Sequence, residues 1–107
     1  MRKVSKVVNL SGNEYYRVHL QLINPVLPVK LSDKELDVLS YFLMFGNLSK
    51  ESRKVIRDKL GMSFGSLTNH IRHLKEKGFI LDGDELNSVI VPDSNSQEYI
   101  FKLVNNG

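Results

Sequence analysis

The sequence predicts an α+β fold: a three-helix core preceded by an N-terminal β-hairpin and followed by a C-terminal pair of strands. Three observations carry this expectation. Apolar residues occupy alternate positions from Tyr16 to Leu22. Three later segments place apolar residues at helical spacing, each opening near a serine and ending at a glycine. Two short runs near the end, Asn87 to Val91 and Glu98 to Val104, read as strands.

The hairpin rests on Tyr16, Val18, Leu20 and Leu22 facing one way and Tyr15, Arg17, His19 and Gln21 the other. Val4, Val8 and Leu10 supply the preceding strand, with Ser11-Gly12-Asn13 as the turn. Asn24-Pro25 and Pro28 end the second strand and force an extended connector, because proline removes a ladder donor. The first helix opens at Ser32, with Glu35 completing a capping box. Leu36, Leu39 and Leu43 define its inner side, widened by Val38, Phe42 and Phe45, and Gly46-Asn47 ends it. The second runs from Ser49 to Leu60, with Ile56 and Leu60 inward, Val55 beside them and Gly61 closing. The third runs from Ser63 to about Lys77. Phe64, Leu67, Ile71 and Leu74 give it a buried stripe, Lys75 and Lys77 suit its negative end, and Gly78 stops it.

The totals narrow the class. A chain of 107 residues, 41% hydrophobic and 25% charged, is expected to form a single domain over 1–107 rather than a disordered chain. Without cysteine, disulfides and thiolate metal sites are excluded, and a reducing compartment fits. The longest apolar runs, such as Tyr41 to Phe45, fall far short of the ~20 residues of a membrane span. The basic Met1-Arg2-Lys3-Val4-Ser5-Lys6 is followed by apolar residues broken at Asn9, Ser11, Gly12 and Asn13, so no signal peptide is expected. A cytoplasmic, nucleoid-associated protein is the expectation.

The net charge of +3 is unevenly spread. Residues 50–77 carry eight Lys/Arg against three Asp/Glu, while residues 78–107 carry one against five. Positive charge thus gathers on the second and third helices, where a polyanion would be engaged. Opposite the third helix's buried stripe lie Gly65, Ser66, Asn69, Arg72, His73 and Glu76, flanked by Thr68. Small residues there permit close approach, and Ser63, Ser66 and Thr68 can bond phosphates near the helix N-terminus. Asn69 matches adenine and Arg72 guanine as bidentate partners. Lys50 and Arg53 would hold the backbone of double-stranded DNA without reading its sequence. The plainer alternative is that these side chains solubilise helix faces.

Leu60-Gly61-Met62-Ser63, Leu67-Thr68-Asn69-His70-Ile71 and Leu74-Lys75-Glu76-Lys77-Gly78-Phe79-Ile80 resemble the winged helix-turn-helix domain of bacterial and phage regulators, MarR-type proteins among them. The resemblance covers about 31–104, leaving 1–30 as hairpin and connector. It implies a recognition helix at 63–77 and DNA contact by Ser63, Phe64, Gly65, Ser66, Thr68, Asn69, Arg72 and His73. Two positions depart from the family. Arg57 stands where a small residue usually lies, so either the helix crossing is wider or Arg57 leans out to solvent. The wing tip, Pro92-Asp93-Ser94-Asn95-Ser96-Gln97, offers no Lys or Arg. It is therefore structural, contacts DNA through Ser94 and Asn95, or faces a protein.

No phosphate loop, nucleophile elbow or paired catalytic carboxylate occurs, so no enzyme and no cofactor are expected. His70 and His73 lack a third ligand for zinc, and Asp82-Gly83-Asp84-Glu85 reads as a turn rather than a calcium loop. Three functions follow. One is a small transcriptional regulator binding specific double-stranded DNA as a homodimer, joined through Tyr15, Arg17 and the hairpin edge. The second is a protein–protein adaptor docking a basic partner on its acidic C-terminal wing. The third is a phage or plasmid replication or transcription accessory factor with weak sequence preference.

Overall fold

The computed structural model describes residues 12–92. They form four α-helices and a small antiparallel sheet, an α+β arrangement: α1 (Glu14–Ile23), α2 (Asp33–Phe45), α3 (Lys50–Leu60), α4 (Phe64–Glu76), β1 (Ile80–Leu81) and β2 (Glu85–Leu86). Short 3₁₀ turns follow α1 at Asn24–Val26 and β2 at Ser88–Ile90. Among the described residues no helix is long and apolar enough to cross a membrane.

The second strand of the expected hairpin is instead helix α1. The alternation from Tyr16 to Leu22 coexists with a helical spacing, Tyr16, Leu20 and Ile23, and tertiary packing selects the latter. Leu20 is fully buried, with Tyr16 and Ile23 packed against the same core. A helix satisfies its backbone groups within itself, whereas a strand needs a neighbour. Two side-chain bonds dock α1 on α2: Asn13 Nδ2 donates to Ser40 Oγ at 3.0 Å, and Arg17 Nε to Asp37 Oδ1 at 2.5 Å. The strand expected at Val4, Val8 and Leu10 lies outside the described residues. A dimer joined along a hairpin edge at Tyr15 and Arg17 loses its basis: neither residue is on a strand, and Arg17 is committed to Asp37.

Asn24-Pro25 ends α1 rather than a strand. Asn24 then pins the connector, donating from Nδ2 to the Leu31 carbonyl at 3.1 Å and accepting the Leu31 N–H on Oδ1 at 2.8 Å. Leu27 and Leu31 are buried along it.

The three later helices begin and end where their caps require. The Ser32 hydroxyl accepts from Glu35 N while the Glu35 carboxylate accepts from Ser32 N, completing the capping box. Ser49 and Ser63 accept from the amides of Ser52 and Ser66. Gly46 and Gly61, at φ 77° and 64°, take the left-handed conformation that closes α2 and α3. Leu36, Val38, Leu39, Phe42 and Leu43 of α2, Ile56 of α3, and Leu67, Ile71 and Leu74 of α4 meet in one core, whereas Phe45 is partly exposed.

The C-terminal strands differ from expectation. β1 and β2 pair Ile80 with Leu86 and Leu81 with Glu85, so the acidic segment from Asp82 to Asp84 is their turn. Strands two residues long leave no alternation to read. The run from Asn87 to Val91 is not a strand; Asn87 Oδ1 accepts from Val89 N and winds Ser88–Ile90 into a 3₁₀ turn. That turn seals the core with Ile90, whose carbonyl lies 3.1 Å from Nε2 of the buried His19 on α1. The expected strand at Glu98 to Val104, the tip beyond Pro92, and Ser94 and Asn95 lie outside the described residues.

Candidate nucleic-acid interface

Burial of Leu67, Ile71 and Leu74 fixes the rotation of α4, and none of the described residues covers its opposite side. Gly65, Ser66, Thr68, Asn69 and Arg72 are exposed, as is Glu76 at the far end; His70 and His73 are half-buried at the edges. A Cβ built on Gly65 would meet no atom of the described residues within 4 Å, so neither these neighbours nor its backbone requires glycine there. Ser63, exposed just before the helix, uses its oxygen to cap the Ser66 amide.

Phe64 departs from the buried stripe assigned to it. As the first residue of α4 it lies beyond the core and is 67% exposed. Arg57 of α3 stacks on it, with its guanidinium carbon 5.5 Å from the ring centroid. The unexpected arginine at the helix junction is thus half-buried against an aromatic ring rather than free in solvent.

Asn69 and Arg72 are tied to each other. Arg72 Nη2 donates to Asn69 Oδ1, and Arg72 Nη1 approaches Glu76 Oε2 at 3.5 Å. One helical turn apart, the two side chains are held together on the outer face. The Asn69 amide N–H groups keep their donor capacity, since Arg72 engages only the oxygen.

Lys50 is exposed at the first position of α3. Arg53 is more constrained. Its Nε donates to the Leu48 carbonyl at 3.1 Å, and its Nη2 to Asp84 Oδ2 at 2.9 Å. Lys75 Nζ reaches the other Asp84 oxygen, Oδ1, at 2.8 Å. The Lys75 ammonium beside Oδ1 is the main cause holding the Asp84 carboxyl below its ordinary pKa; desolvation opposes it, and the charge and hydrogen bond of Arg53 reinforce it. In the sequence Lys75 reads as a dipole partner and Asp84 as a turn residue. Arg53 and Asp84 are 31 positions apart, and no local pattern signals their meeting.

No protein-family model, curated protein or solved structure matches this chain.

Proposed function

We propose that the chain is a sequence-specific double-stranded DNA-binding protein, a small transcriptional regulator of the winged helix-turn-helix type that reads the major groove with α4. One observation carries the reading. Among the described residues, α4 presents an exposed face of Gly65, Ser66, Thr68, Asn69 and Arg72, with small residues at its N-terminal end and the Asn69 and Arg72 side chains held together behind them. A helix enters the major groove, about 12 Å wide, with its N-terminal residues nearest the bases. Small side chains at 65 and 66 allow that approach. Asn69 and Arg72 then present donors to base edges. Lys50, at the start of the preceding helix, supplies a cation for the phosphate backbone.

The test is selection from a random duplex pool over a salt series, with wild type, Arg72→Ala and Lys50→Ala. The reading expects an enriched motif whose preference relaxes at one position in Arg72→Ala. Lys50→Ala should weaken all sequences alike and flatten the salt slope by about one unit. Binding without an enriched motif would contradict sequence specificity. No binding at low salt would contradict the reading entirely.

A further inference from the structure

Arg53, Lys75 and Asp84 come from three different elements and meet at one point of the surface. Each oxygen of a single carboxylate faces one cation, at 2.9 and 2.8 Å. All three side chains stay partly open to solvent, at 33%, 43% and 38% exposure. The Asp84 backbone lies in the left-handed region at φ 60°, following Gly83 at φ 83°. Such a conformation is uncommon for a residue with a side chain, though Asp and Asn tolerate it best. A guanidinium and an ammonium converging on one oxyanion is also how proteins hold a phosphate.

We propose that Arg53 and Lys75 form a binding site for a backbone phosphate of the nucleic acid, and that Asp84 is the internal oxyanion which occupies it until duplex DNA displaces it. The proposal rests on the DNA-binding reading above and adds to it a phosphate site made by two further cations, Arg53 and Lys75, and a competitor built into the turn between β1 and β2. Exposed ion pairs are weakly held, so the carboxylate is exchangeable. A phosphate entering the site also releases condensed counterions, a gain the carboxylate does not offer. Asp84 therefore discounts contact with any single anion. A duplex anchored elsewhere on α4 overcomes that discount.

The experiment compares duplex binding over a salt series for wild type, Asp84→Asn and Asp82→Asn, each also with Arg53→Gln and Lys75→Gln. Asp82→Asn removes the same charge from the same turn without touching either cation. Asparagine suits the backbone at 84, and Asp84→Gly is the second variant should thermal melting reveal a folding defect. The expected result is that Asp84→Asn binds more tightly than Asp82→Asn at low salt. The excess should be roughly two- to thirty-fold, the range for exchanging two exposed ion pairs. Its salt slope should be steeper by about one unit. The excess should vanish in the Arg53→Gln, Lys75→Gln background. Equal effects of the two aspartate substitutions, or an excess that persists without the cations, would overturn the site and leave the DNA-binding reading standing. Failure of every variant to bind duplex at low salt would overturn both.

Discussion

The Lys77 ammonium lies 2.6 Å from Oε1 of Glu35, the carboxylate oxygen that also accepts the Ser32 N–H at 2.8 Å. Lys77 further donates to the Lys30 carbonyl at 3.0 Å. The C-terminal cap of α4 is thereby joined to the N-terminal capping box of α2.

Burial acts to raise the Glu35 pKa, but the Lys77 hydrogen bond and charge, with the Ser32 backbone and hydroxyl, outweigh it and set the carboxyl below its ordinary value. A carboxyl with a lowered folded-state pKa stabilises fully above its unfolded value, about 4.3, and loses that contribution as pH falls through the folded one. Stability should therefore decline below about pH 4.3. Glu35→Gln retains an acceptor for Ser32 but loses the ion pair. It should cost about 1–3 kcal/mol at neutral pH and flatten the acid limb, as read by urea melts between neutral and acid pH.

The helical state of Glu14–Ile23 makes its own forecast. In a strand, Val18 and Leu20 would share one buried face and suffer alike on truncation. In α1, Leu20 is fully buried and Val18 only partly. Leu20→Ala should cost about 2–5 kcal/mol, and Val18→Ala under about 1 kcal/mol, since alanine also favours the helix. Equal losses in denaturant melts would contradict the helix.

Asn24 holds the connector by two hydrogen bonds to one residue. Asn24→Ala should cost about 1–3 kcal/mol, measurable by thermal melting. It should also speed amide exchange at Leu31, whose N–H loses its acceptor.

Gly65 separates folding from function. Among the described residues nothing crowds a Cβ at that position, and alanine is the better helix former, so Gly65→Ala should leave stability unchanged or raise it by up to about 1 kcal/mol. If α4 is pressed against a base edge, the added methyl should weaken duplex binding. A variant more stable and equally good at binding would remove Gly65 from the interface.

Where the fold was legible in the sequence, a local signal sufficed. Ser32 with Glu35, Ser49, Ser63, Gly46 and Gly61 act through neighbours within a few positions, and the helix limits they imply are those observed. Leu67, Ile71 and Leu74 likewise set the outward face of α4. Tyr16 to Leu22 misleads because its seven residues satisfy two periodicities, and only tertiary packing, of Leu20 in the core and of Asn13 and Arg17 on Ser40 and Asp37, decides between them. Phe64 failed because periodicity locates a direction, not the limit of the core. The meeting of Arg53, Lys75 and Asp84 depends on how α3, α4 and the β turn converge, which no spacing records.

The most direct measurement is the amide chemical-shift map of the protein titrated with a selected duplex at low salt. The largest shifts are expected across Ser63 to Arg72 and at Lys50, with changes at Arg53, Lys75 and Asp84 as the carboxylate is displaced. Shifts confined to Glu14–Ile23 or Ser88–Ile90, with α4 unmoved, would contradict it.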